Sequence, residues 1–223
     1  MANAPTVGIF LPGGSLNTFN SSAASGQVDA YGLTYPTAST RGKMIELGAN
    51  EAANLTAPNT TYPMLDGAYQ IVQLDSGANA TYATQGLAAY IKLDSGATAG
   101  ALPETDFVVP IVTDYTHKDN AGLCAGVFLN QATLNGQSNA PTPGNYTLIW
   151  VGAGRCYVNY DSTFANNSPA LGDLINAGGS NGTFTDSSAS AYGPNTVGKA
   201  VTTPAVSTTG VIYASDIFYR LVP

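Results

Sequence analysis

Charge is what this chain has least of. Its 223 residues carry 7 Lys plus Arg and 14 Asp plus Glu, so charged side chains make up 9% of the sequence. An ordinary globular protein holds roughly a quarter. There is one His and there are two Cys. Catalytic centres are assembled from clustered titratable groups with displaced pKa values, and little material for such a cluster is present. The seven cations are spread singly from Arg41 to Arg220, and the net charge is −7. Without a basic patch the chain is not expected to bind nucleic acid, where affinity rests on Lys and Arg against phosphate. No apolar run approaches 18 residues, so no membrane-spanning helix is expected. The first residues lack a basic region, and Pro12 and Gly13 interrupt the early apolar stretch, which makes a poor secretory signal.

In place of charge stand Gly, Ala, Ser, Thr and Asn, with short Val, Ile, Leu and Tyr runs between turn residues. The hydrophobic fraction of 44% is normal, so a folded core is expected. The pattern is that of an all-β chain, a small barrel or sandwich in the C-terminal half preceded by a loop-rich, extended N-terminal arm. Residues 1–65 show little periodicity but keep Phe10, Leu11, Phe19 and Tyr31, too apolar for a solvated tail. Two readings stay open: an arm that drapes over a partner through these four residues, or a loop-rich first layer of the same domain. A helical turn over Glu46–Leu55 is weakly indicated.

Residues 66–123 read as a β-hairpin region. Leu-Asp-Ser-Gly-Ala occurs at 74–78 and again at 93–97, each time closing an apolar run with an Asp and a Gly suited to a turn. Phe107–Val112 reads as an edge strand because of Pro110. Residues 124–223 give the clearest strands. Tyr146–Val151 and Arg155–Tyr160 flank Gly152-Ala153-Gly154, the length of a hairpin loop, which puts Leu148, Trp150, Cys156, Val158 and Tyr160 on one face. Cys124 and Cys156 sit in apolar runs as small buried hydrophobes, with a disulfide between neighbouring strands left open. The final strand, from Gly210, bends near Ala214–Asp216.

Few residues suggest chemistry. His117 lies between Asp114 and Asp119, but one His without Cys or His companions is thin ligation for zinc, and a polar hairpin tip explains it. No calcium-loop, phosphate-loop, nucleophile-elbow or Cys-X-X-Cys motif occurs. No catalytic residue, cofactor or metal is expected. The 13 tyrosines suit strand faces, and also suit a sugar- or protein-binding surface.

The order Ala125-Gly-Val-Phe-Leu-Asn130, Thr142-Pro-Gly-Asn-Tyr146, Val151-Gly-Ala-Gly-Arg-Cys-Tyr-Val158, Gly172-Asp-Leu-Ile175 and Val197-Gly-Lys-Ala-Val201 resembles the capsid decoration (cement) and minor head proteins of tailed bacteriophages. The resemblance covers about the last hundred residues and, loosely, residues 66–123. It implies a small β-barrel on the head exterior with an arm crossing the major capsid protein or a neighbouring copy. The expected partners are then the major capsid protein and copies of the chain itself, with a homotrimer as one arrangement. The expected location is the virion surface after assembly in the host cytoplasm. The alternatives are a tail-tip or fibre module binding glycan, and a surface protein of non-viral origin.

Overall fold

A computed structural model describes residues 10–11, 14–15, 44–55, 64–92, 111–118, 122–129, 146–161, 169–186, 193–202 and 209–218. Among the described residues the chain is all-β apart from one seven-residue helix and two 3-10 turns. Twelve strands are described: β1 (Phe10–Leu11), β2 (Gly14–Ser15), β3 (Met44–Leu47), β4 (Gly67–Leu74), β5 (Ala88–Ile91), β6 (Ile111–Thr113), β7 (Cys124–Phe128), β8 (Tyr146–Asn159), β9 (Leu174–Ala177), β10 (Phe184–Asp186), β11 (Thr196–Ala200) and β12 (Thr209–Ile217). Helix α1 (Ala49–Leu55) follows β3, where the sequence gives only a weak helical signal.

β1 and β2 form a separate two-stranded pair, and the other ten strands form one mixed sheet in the order β10-β9-β11-β12-β8-β7-β5-β6-β4-β3. The sheet as a whole is open, in place of the closed barrel or sandwich expected in the C-terminal half. It also begins earlier than expected. β3 pairs antiparallel with β4, and Leu47, Ala52 and Met64 are buried in the main apolar core. The sheet therefore starts inside the segment read as an arm, and strands on either side of residue 123 share it.

The reason for an open, winding sheet is β8. The expected hairpin at Gly152-Ala153-Gly154 does not form, and the chain runs on as one 14-residue strand. Its first half pairs with β4 on one edge and β7 on the other. Its second half pairs with β12, from Thr209↔Asn159 to Ile217↔Gly152. The Gly-Ala-Gly segment is where β8 changes partners. Gly152 (φ 119) and Gly154 (φ 152) take positive φ, which glycine tolerates at little cost, and Ala153 (φ 48) between them lies in the left-handed region that alanine seldom adopts. A Cβ on Gly154 would lie 2.2 Å from Asp66 O, and one on Gly152 would lie 2.1 Å from Asp216 O. Neighbouring backbones press in from both sides, so side chains are excluded there. Arg155 then fastens the crossing: its N–H donates to Asp66 O at 2.7 Å, and its guanidinium meets the Asp66 carboxylate.

The extra β4–β8 pairing joins strands β8, β7, β5, β6 and β4 in a ring. Residues of one apolar cluster, including Ala68, Val72, Leu74, Ala89, Val112, Ala125, Ile149 and Val151, come from these five strands. A second cluster takes the opposite face: Tyr69, Tyr90, Cys124, Leu148 and Trp150, continuing to Cys156, Val158, Tyr160, Ile175, Phe184 and Ile212. Leu148, Trp150, Cys156, Val158 and Tyr160 do share a face as expected, because alternate residues of a single strand point the same way. Trp150 is fully buried and meets Phe218 edge-on, with ring centroids 5.5 Å apart.

One further expectation is corrected, that of an edge strand at Phe107–Val112. β4 and β5, the strands that lead into the repeated pentads, take separate partners: β5 pairs with β6 and β7, and β4 with β3, β6 and β8. The first pentad does end β4 in a turn, with Ala78 N–H donating to Asp75 O at 3.0 Å, and Asp94-Ser95-Gly96 lies outside the described residues. β6 is interior, parallel to β4 and antiparallel to β5, and begins after Pro110. The bend in β12 appears where expected, as a register shift between Ala214 and Ile217.

Candidate functional site

The residues that look most like chemistry fold into one corner. β6 leads into a turn at Tyr115–His117, and the Asp114 side chain is fully covered there. Its Oδ2 accepts from Asn79 N–H at 2.7 Å, and its Oδ1 accepts from Thr116 N–H at 2.7 Å and from the Thr116 hydroxyl. His117 Nδ1 lies 2.8 Å from Asp114 Oδ2; a carboxylate only accepts, so Nδ1 donates. Burial opposes ionisation of Asp114, yet the hydrogen bonds from Thr116, Asn79 and His117 outweigh it and hold the carboxyl below its usual range.

Around this turn Lys92 donates to His117 O at 3.2 Å and lies 3.9 Å from Asp75. Lys118 Nζ sits 4.8 Å from the Tyr115 ring centroid and 5.9 Å from that of Tyr90. Among the described residues, the hydrogen bonds of Asp114 return to the corner itself, tying the β6 turn to the loop after β4. This is how a carboxylate caps a turn, and it matches the polar tip expected of His117. A second covered carboxylate behaves alike: Asp161 accepts from Ser180 N–H at 2.6 Å, from the Ser180 hydroxyl and from Thr183 Oγ1 at 3.3 Å. Among the described residues, no group of three or more His, Cys, Asp or Glu is placed to share a metal ion.

Cys124 and Cys156 are both buried, and no disulfide joins them. Burial pushes the Cys156 thiol far up, away from reactive thiolate. Burial likewise raises Tyr69, Tyr90 and Tyr160, which serve as core residues and not as a sugar-binding surface.

The four residues expected to bind a partner are only partly placed. Phe10 and Leu11 form β1, with Phe10 opposite Ser15 and Leu11 opposite Gly14. Phe19 and Tyr31 lie outside the described residues. What the sequence reading missed is where the sheet stays open. β10 is tied back at its outer edge: Phe184 bridges to Tyr160, and Asp161 N–H donates to Phe184 O at 2.9 Å. β3 has β4 on one side, and no described strand pairs with its other edge. Met44 on β3 is 40% exposed, and Glu46 is exposed beside it. Four large apolar side chains are exposed among the described residues. Met44 is one, and the others, Leu171, Val201 and Tyr213, belong to the opposite end of the sheet.

No described helix is long and apolar enough to cross a membrane. Comparison with known protein families, with characterised proteins and with solved structures yields no match.

Proposed function

We propose that the chain is a virion structural protein that binds the outer surface of a tailed-phage head and cements capsid subunits, without performing catalysis. The observation that carries this reading is β3. It is a short strand at the end of a ten-stranded sheet, with no described strand paired to its outer edge, and in sequence it follows the segment that holds Phe10, Leu11, Phe19 and Tyr31. An open edge presents N–H and C=O groups to which an extended segment of another protein adds as a further strand. The apolar residues upstream supply side-chain burial, each large one worth roughly 1.5–3 kcal/mol before ordering costs.

Scarcity of charge supports the same reading. Many identical copies packed on one lattice repel less when each carries few charged side chains, and a net charge of −7 suits a shell's outer face better than its DNA-facing side. The test is co-sedimentation of purified chain with heads that lack it. Full-length chain is expected to pellet with the heads, and chain without residues 1–40 is expected to stay in the supernatant while keeping its β-type circular dichroism. Equal pelleting of the truncated chain removes the N-terminal segment from the mechanism. Failure of the full-length chain to pellet removes the function.

A further inference from the structure

We propose that Met44 and Glu46 are the two residues through which β3 takes an added strand, and that this strand carries a Lys or Arg two residues before an apolar side chain. The inference rests on the head-binding reading above and gives that contact its residues and its partner's local chemistry. Along a strand, successive residues turn their backbone N–H and C=O groups to alternate edges. One hydrogen bond of known direction therefore fixes the phase of the whole strand.

β4 has two edges. β8 pairs with residues 68–73 along one, so β3, at residues 67–70, and β6, at Gln73 and Leu74, share the other. Asp75, the residue after β4, donates its N–H to Val112 O of β6 at 2.8 Å and so points to that shared edge. Counting back by twos, Gln73, Ile71, Tyr69 and Gly67 point the same way. Ile45 pairs with Tyr69 and Leu47 with Gly67, so the backbone groups of Ile45 and Leu47 are taken up by β4. Those of Met44 and Glu46 point outward. The far side of β4 agrees. Phe128 N–H donates to Leu87 O at 2.9 Å, which turns Phe128 away from β8 and turns Val127 toward Trp150. Ile149 then points to β4, opposite Gln70, the residue that the count turns toward β8.

Met44 is 40% exposed and Glu46 is exposed two residues on, while Leu47 turns the other way into the main core. The same two residues thus hold the outward backbone groups and the exposed side chains. An antiparallel partner meets Glu46 first and Met44 two residues later, and the residues directly opposite share their face. Among the described residues Glu46 takes part in no ion pair, and the chain carries a net charge of −7. Opposite charges across a strand pair attract and like charges repel, so the residue facing Glu46 is a cation. Met44, flexible and apolar, packs against an apolar side chain.

Hydrogen exchange read amide by amide on full-length chain tests the phase. Met44 and Glu46 are expected to exchange much faster than Ile45 and Leu47; equal rates, or the reverse order, overturn the inference. The blocked peptide Thr-Lys-Thr-Val-Thr is expected to slow exchange at Met44 and Glu46, and Thr-Glu-Thr-Val-Thr to leave it unchanged. No slowing by the first peptide, or equal slowing by both, also overturns it. On heads, Glu46→Lys reverses the charge, and Glu46→Pro removes the outward N–H at a position where an edge strand tolerates proline. Each is expected to weaken co-sedimentation about tenfold or more, with near-ultraviolet dichroism from buried Trp150 showing that the variant is folded. Undiminished pelleting of both folded variants overturns the inference and leaves the head-binding function standing. A wild type that takes the basic peptide at β3 but does not pellet with heads supports this edge chemistry and overturns the function.

Discussion

At the scale of single residues, the chain uses its few charged groups as fasteners. Asp114 ties a turn to a loop 35 residues earlier through Asn79, and Arg155 clamps Asp66 across 89 residues of sequence. Replacing Asp114 by Ala removes the carboxylate that accepts from the Asn79 and Thr116 N–H groups, and hydrogen bonds to a charged group make this a loss of about 1.5–3 kcal/mol at neutral pH. Because the folded state lowers the Asp114 pKa, the stability it contributes is complete above the unfolded value, about 3.9, and is lost as pH falls through the folded value. Thermal melts should therefore show a wild-type advantage over Asp114→Ala at pH 7 that narrows in acid; a gap independent of pH contradicts this. Gly154→Ala places a methyl group 2.2 Å from Asp66 O at a φ that side chains avoid. Overpacking of this kind costs about 1–3 kcal/mol, so its melting temperature should drop by several degrees, and an unchanged melt would mean that β8 does not pass so close to β4.

Elements divide by how many neighbours they have. Around Ile149 and Trp150, β8 is paired on both edges, to Gln70 and Tyr69 of β4 and to Phe128 and Val127 of β7. β3 is paired on one. Native-state hydrogen exchange should find the central β8 amides among the slowest in the chain and those of β3 much faster; equal protection would mean that β3 is not an open edge. The same contrast explains what could be read in advance. Strands β4, β7, β9, β11 and β12 follow local alternation and turn residues, so their positions are legible in the sequence. Partnerships are not local. Gly152-Ala153-Gly154 has the composition of a hairpin loop, and only the approach of Asp66 and Asp216 from either side shows that it is a crossing point within one strand. β10, three residues inside a Gly/Ser/Thr-rich stretch, has too little apolar pattern to stand out. His117 as a polar tip was legible, whereas the exposed row of Lys199, Tyr213 and Arg155 depends on register across strands far apart in sequence.

For the molecule as a whole, the described surface offers places to adhere: the edge of β3, which no described strand pairs, and the exposed apolar side chains Met44, Leu171, Val201 and Tyr213. That combination suits a protein whose work is to stick in many copies. The reading predicts many copies of the chain per particle, measurable by quantitative mass spectrometry of purified virions; a handful per particle points to the tail instead. The most direct measurement is electron cryomicroscopy of the intact particle with this chain located in the density. The account predicts repeated density on the outside of the head lattice, over the joints between capsid subunits, with the edge of β3 against a capsid segment. Density only at the tail tip, density inside the head, or no density on the particle contradicts it.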